Sequence, residues 1–145
     1  MFVMAKKILI FGLPGSGKST LAQPFAELVG GVWLNADAIR TEYNDWDFTI
    51  EGRMRQAMRM RHLADGVVKA GKIAVADFVC PTDAARAEFA ADFTVWMDTI
   101  GNSRFEDTNK LFQKPTLYDY HVSKWFDDTH KQLADVVAKY VKTHR

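Results

Sequence analysis

The stretch GLPGSGKS, residues 12–19, constrains what this chain can fold into more than any other. It matches the pattern G-x-x-x-x-G-K-[S/T] in full, with Thr20 next. The apolar run KKILIFG (6–12) precedes it and a helical pattern over about 18–29 follows. A strand that turns through glycines into a helix N-terminus is a cradle for phosphate. Gly15 and Gly17 let the backbone curl so that its N–H groups point at anionic oxygens, and the helix end adds partial positive charge. Lys18 would reach the outer phosphates of a nucleotide, and Ser19 would ligate Mg²⁺. Gly12, Pro14, Gly15, Ser16, Gly17, Lys18, Ser19 and Thr20 are the expected binding loop for ATP with Mg²⁺.

The rest of the chain repeats the strand-then-helix rhythm. VWLN (32–35), KIAVADF (72–78) and FTVWMD (93–98) read as buried strands, with YHVSKW (120–125) as a weaker fifth. Helical patterns lie between them at about 49–70 and 82–91, and a last one runs from about 127 to 142, capped by Asp127 or Asp128. Within 49–70, Ile50, Met54, Ala57, Ala64 and Val68 form the apolar stripe, interrupted by Arg61. Pro24 falls inside the first helical segment, so a kink or an early end is expected there. Residues 100–119 show no period and contain Pro115, which suits a loop or lid. Alternating strands and helices imply parallel pairing with right-handed crossovers. The expected architecture is α/β: a three-layer P-loop NTP hydrolase-type fold with a parallel sheet of about five strands and a lid, as one domain over 1–145.

Composition narrows the class. Hydrophobic residues at 48% can build a core, and a net charge of +1 gives no global attraction to nucleic acid. One cysteine, Cys80, rules out an internal disulfide, and a lone thiol fits a reducing cytoplasm. The N-terminal segment MFVMAKKILIFG has no long apolar core of a secretory leader, and no run is long enough to span a membrane. The four histidines, His62, His121, His130 and His144, are scattered and suggest no metal cluster.

A phosphate loop alone does not say what happens to the phosphate. The stretch LNADAIR (34–40) carries that information. It follows the second strand, whose carboxyl end opens onto the same crevice as the phosphate loop. Asp37 there would accept the proton of an attacking hydroxyl or hold a metal-bound water. Arg40, three residues on, would orient an anionic substrate or neutralise transferring charge. Asp37 also suits the helix cap, paired with Arg40. Asp77, closing the run IAVAD, has the position of a Walker B acid, so Ser19, Asp37 and Asp77 are the expected metal-side oxygens. Arg53, Gln56 and Arg59 on the next helix would face the crevice and hold phosphate or sulfate, whereas Arg55 reads as solvated. Arg104 and Lys110, with Lys114, fit a lid closing over ATP.

Together these stretches resemble the small P-loop kinases, most closely the adenylylsulfate kinases. The family's G-L-S-G-x-G-K-S-T reads here as GLPGSGKST, and its D-G-D-x-x-R as NADAIR. Its F-S-x-x-D-R-x-x-N-x-R-R reads as FTIEGRMRQAMR (48–59), and its I-S-P-Y-R as VCPTD. The likeness covers roughly residues 6–112. It implies that Phe48 and Phe78 sandwich the adenine of the acceptor. Asn35 and Ala36 stand where the family has Asp-Gly, Gly52 replaces an Asp, Gln56 an Asn, and Thr82-Asp83 replaces Tyr-Arg. Around Asp37 the chain also resembles the polynucleotide 5′-kinases, whose loop shares Pro14. The reading is an ATP-dependent kinase that phosphorylates a hydroxyl of a nucleotide-type acceptor, with Lys18, Asp37 and Arg40 as the catalytic set. A nucleic-acid 5′ end is the alternative acceptor, a regulatory P-loop NTPase or nucleotide-binding switch is the alternative of another class, and a homodimer is compatible with either.

Overall fold

A computed structural model describes residues 6–143. His144 and the first five residues of the segment read as lacking a leader lie outside that range. Five strands form one sheet: β1 (Lys7–Gly12), β2 (Val32–Asn35), β3 (Ala74–Phe78), β4 (Phe93–Met97) and β5 (Tyr120–Val122). The order is β2-β3-β1-β4-β5 and every pairing is parallel. Six helices cover it: α1 (Lys18–Val29), α2 (Ala36–Tyr43), α3 (Ile50–Lys69), α4 (Asp83–Phe89), α5 (Glu106–Leu111) and α6 (Thr129–Thr143).

Period-2 alternation in strands buried on both faces builds two cores, one per face. On one face Ile8, Ile10, Val75, Val95 and Met97 pack under α1 and α6, through Leu21, Phe25, Leu133 and Val137. On the other Leu9, Phe11, Ala76 and Trp96 pack under α2, α3 and α4, through Ile39, Met60, Ala64 and Phe89. That is the expected three-layer arrangement. Among the described residues, no helix is long and apolar enough to cross a membrane.

Four local expectations are changed or refined. Pro24 does not end α1, which runs on to Val29. Its missing N–H would have paired with the carbonyl of Thr20 in the exposed first turn, where water is available. Packing of Leu21 and Phe25, both fully buried, holds the helix together past that point. The buried face of α3 is rotated from the predicted stripe. Gly52, Gln56, Ala57, Met60 and Ala64 are buried, while Ile50 is 66% exposed. Gly52 is pressed against the turn before the helix so closely that a Cβ there would run into the Asp47 carbonyl. Finally, α6 starts at Thr129, and Asp128 contributes its backbone carbonyl to the first turn, accepting from the Lys131 and Gln132 N–H groups. Residues 100–119 are not structureless, since α5 forms within them.

Candidate active site

The carboxyl ends of β1, β2 and β3 converge. β1 runs into the phosphate loop, where Gly15 and Gly17 take φ of +83° and +98°, conformations that glycine adopts without strain. The loop is braced underneath. The Ser16 N–H bonds to the Leu13 carbonyl at 3.1 Å, and Thr99 Oγ1, just past β4, donates to the Ser16 carbonyl at 2.7 Å. Gly12 is required by close approach: a Cβ there would stand 2.5 Å from the Met97 carbonyl oxygen. Ser16 Oγ is buried without a hydrogen-bond partner among the described residues. Pro14 and Thr20 are in the loop and the first turn of α1, as expected, though no side-chain hydrogen bond is seen for Thr20.

Lys18 folds back over the loop and donates from Nζ to the Leu13 carbonyl at 3.0 Å. Burial lowers its pKa to about 8, against the pull of the nearby Asp77 and Asp37 carboxylates, which favour the ammonium. Ser19 Oγ donates to Asp77, 3.3 Å from Oδ1 and 3.4 Å from Oδ2. Asp77 is in turn held by Trp33 Nε1 at 2.6 Å and Asn35 Nδ2 at 3.2 Å, both on Oδ2. Burial pushes the Asp77 carboxyl above its ordinary pKa, and these donors and Lys18 oppose that push. A hydroxyl and a carboxylate side by side at the mouth of a phosphate loop are hard oxygen donors, which suits Mg²⁺. Among the described residues no group of three or more His, Cys, Asp or Glu surrounds this point. Such a pair would suit an ion that shares its shell with phosphate and water, as Mg²⁺ does in nucleotide sites.

Asp37 sits exposed in the first turn of α2, and its carboxylate has no hydrogen-bond partner among the described residues. It does not cap the helix: Asn35 does, its Oδ1 accepting from the Ala38 N–H at 3.0 Å. Nor does Arg40 pair with it. Arg40 is 4% exposed, donates to the carbonyls of Asp45 (2.9 Å) and Asp47 (3.3 Å), and lies 4.4 Å from the centre of the Phe48 ring. The Asp37 carboxylate keeps its lone pairs free and lies near enough to Lys18 to favour the ammonium, whereas Arg40 shapes the loop that follows α2.

The acceptor-side predictions divide. Arg53 lines a cleft of about 380 Å³ between the first turns of α3 and α4 and the end of α5, together with Ile50, Met54, Pro81, Ala84 and Leu111. Its guanidinium also donates to Thr108 Oγ1 at 2.9 Å and lies 5.2 Å from the Phe48 ring centre. Phe48 is half exposed. Phe78 is not an open face. It is 6% exposed and packs edge-on against Phe89, because it ends a strand buried on both sides. Gln56 is 2% exposed and ties α3 to α2 through the Ala36 carbonyl at 3.2 Å. Arg59 donates to Gln56 at 2.7 Å and to Asp45 at 2.8 Å, and Arg55 joins it on Asp45 and Asp47. These two guanidinium groups hold the Asp45 carboxyl well below its usual range. Arg55, read as solvated, is thus part of a clamp, and Gln56 and Arg59 are engaged inside the protein. Arg104 stacks on Phe105 at 4.9 Å on the exposed side of the lid, and Lys110 is exposed on α5; nothing brings either to the phosphate loop.

Four residues escaped the sequence reading. Trp33 and Asn35 hold Asp77. Trp125, in the loop between β5 and α6, lies against the phosphate loop so tightly that a Cβ on Gly17 would stand 2.6 Å from its ring. Arg86 fastens the end of the lid by donating to the Pro81 and Gln113 carbonyls at 3.2 and 2.6 Å. Strand alternation places Trp33 and Asn35 on one face of β2, which is a readable signal; the other two have none.

A phosphate loop, a hydroxyl–carboxylate pair and a free aspartate at the open ends of a parallel sheet define a P-loop phosphotransferase acting on a hydroxyl. The family model for adenylylsulphate kinase matches residues 4–114, and the chain belongs to that family. A probable adenylyl-sulfate kinase of Aeropyrum pernix is 33% identical over 90 residues, covering 54% of this chain and 46% of its own. A shikimate kinase of Actinobacillus pleuropneumoniae is 23% identical over 164 residues, covering 97% and 95%. Among solved structures, the Mycobacterium tuberculosis APS kinase in complex with AMPPNP and APS superposes with a TM-score of 0.80 at 20% identity, over 93% of this chain and 98% of that one.

Proposed function

We propose that this chain transfers the γ-phosphoryl group of ATP to a hydroxyl of a nucleotide-type acceptor, as a single kinase domain. The observation that carries the reading is the meeting of Lys18, the Ser19–Asp77 pair and the unpaired Asp37 at one end of the sheet. Backbone N–H groups of the loop and the Lys18 ammonium bind the phosphates and offset charge that grows on them during transfer. Ser19 and Asp77 would hold Mg²⁺, which supplies charge neutralisation on the phosphate oxygens when bound. Asp37 accepts the hydroxyl proton as the oxygen attacks in line. The bond formed is acceptor oxygen to phosphorus, the bond broken is phosphorus to the bridging oxygen of ADP, and the proton rests on Asp37.

The cleft supports the acceptor class. Its apolar lining suits the flat face of a base or sugar, and Arg53 supplies one cation for an anionic tail. The M. tuberculosis relative holds APS beside an ATP analogue, which supports the same pairing here. The test is labelled ATP with a panel holding APS, a nucleoside, shikimate and a 5′-hydroxyl oligonucleotide. Asp37→Ala should bind ADP as the parent does yet lose transfer by about 10²–10⁴-fold. Equal transfer by mutant and parent overturns the assignment, and phosphate release with no labelled acceptor favours a regulatory NTPase.

A further inference from the structure

Asn35 does two things with one amide. Its Oδ1 accepts from the Ala38 N–H at 3.0 Å and so starts α2, the helix that carries Asp37. Its Nδ2 donates to Ser19 Oγ and to Asp77 Oδ2, both at 3.2 Å. The amide orientation is forced, because flipping it would set NH₂ against an N–H and an oxygen against a carboxylate. Register makes the contact possible: Asn35 and Asp77 are direct partners across β2 and β3, so their side chains share a face. Two residues earlier on that face, Trp33 Nε1 binds the same oxygen at 2.6 Å. Oδ2 of Asp77 thus takes Trp33 and Asn35, with Ser19 Oγ also 3.4 Å away, while among the described residues Oδ1 has only Ser19 Oγ at 3.3 Å. The carboxylate is fixed mainly through Oδ2, and Oδ1 is the less engaged oxygen.

We infer that Asn35 is a positioning residue that couples the cation-binding pair Ser19–Asp77 to the first turn of the Asp37 helix, with Trp33 as the second holder of Asp77. The inference rests on the kinase reading for the role of that pair. An ion that draws on Ser19 and Asp77 changes what Asn35 Nδ2 binds, and the other end of the same planar amide is the cap of α2. Coupling of this kind is reciprocal: whatever the ion does to the stability of the cap, the cap does to the affinity for the ion. Few side chains can do this. Serine caps a helix N-terminus but is too short to reach Asp77. Aspartate caps but cannot donate, and it would set a second carboxylate against the first and change the charge of the site. Serine is therefore the informative replacement, and Trp33→Phe is the control that removes one donor from Oδ2 without touching the cap.

The full chain is studied with Mn²⁺·ADP for affinity and Mg²⁺·ADP for amide exchange, each against ADP in EDTA. In the parent, Mg²⁺·ADP should slow exchange at Ala38, Ile39 and Arg40 beyond what ADP alone does. In Asn35→Ser that extra slowing should vanish, and Mn²⁺·ADP should bind about tenfold more weakly with ADP in EDTA unchanged. Trp33→Phe should weaken Mn²⁺·ADP severalfold and keep the slowing. A structural role alone would lower the melting temperature and leave the metal dependence of exchange in place. If Asn35→Ser keeps the metal-dependent slowing, or the parent lacks it, the inference falls. No acceptor enters the experiment, so a failed search for the acceptor and a failed coupling are separate results.

Discussion

Lys18 shows how one residue's burial becomes a pH dependence. In the free protein its pKa is lowered to about 8 from 10.5 by desolvation. Between those values the unfolded chain holds the proton and the folded chain does not, so this residue's contribution to stability rises with pH across that window. Nucleotide binding has the opposite sense. Phosphates need the ammonium, so above pH 8 binding must include proton uptake. The dissociation constant of ADP should rise with pH above about 8, by up to about tenfold per unit. Calorimetry in buffers of different ionisation enthalpy should show uptake approaching one proton, and Lys18→Met should bind weakly with no such slope.

At the scale of elements, two glycines of α3 make opposite predictions from one substitution. Gly52 abuts Asp47, and a Cβ there has no room; Gly66 has nothing within 4 Å. Alanine at an open helical position gains up to about 1 kcal/mol, while overpacking costs about 1–3 kcal/mol. Gly66→Ala should therefore raise the melting temperature and Gly52→Ala should lower it, both by a few degrees in thermal unfolding. The same helix shows what the sequence carries and what it does not. Its existence and its extent were legible, since the expected 49–70 meets the observed Ile50–Lys69. Its rotation was not, since an apolar count favours Ile50 and Met54 over Gly52 and Gln56, which are the buried positions. The arginines failed for a related reason. Arg40 and Arg59 are legible as charges near a crevice and Arg55 as a solvated one, but only the fold shows that Asp45, Asp47 and Gln56 engage them first. The phosphate loop and Asp77 were legible because their chemistry is local to a strand end; Phe78 was misplaced because a ring at a strand end reads the same whether it faces ligand or core.

For the whole molecule, the question is how the segment 100–119, expected as a lid, is fastened to a cleft whose other walls are α3 and α4. Gln113 is its fastening. The Gln113 N–H bonds to the Pro81 carbonyl at 2.7 Å, its Oε1 accepts from the Asp83 N–H at 2.8 Å, and its carbonyl accepts from Arg86 at 2.6 Å. The Arg86 guanidinium lies 4.5 Å from the Phe11 ring centre and 5.1 Å from that of Phe112, and it also donates to the Cys80 carbonyl at 3.0 Å. One planar fork thus joins the strand next to the phosphate loop, the turn after β3 and the end of the lid. Lysine keeps the charge but cannot reproduce the fork or the stacking. With Arg86→Lys, amides of residues 106–113 should exchange faster while ADP affinity stays within about twofold. A looser lid admits water, so hydrolysis of ATP without acceptor should rise relative to transfer, and the acceptor KM should rise more than kcat falls. Unchanged exchange over 106–113 would show that the segment is held by its remaining ties instead, the Gln113 bonds to Pro81 and Asp83 and the 2.9 Å bond from Arg53 to Thr108.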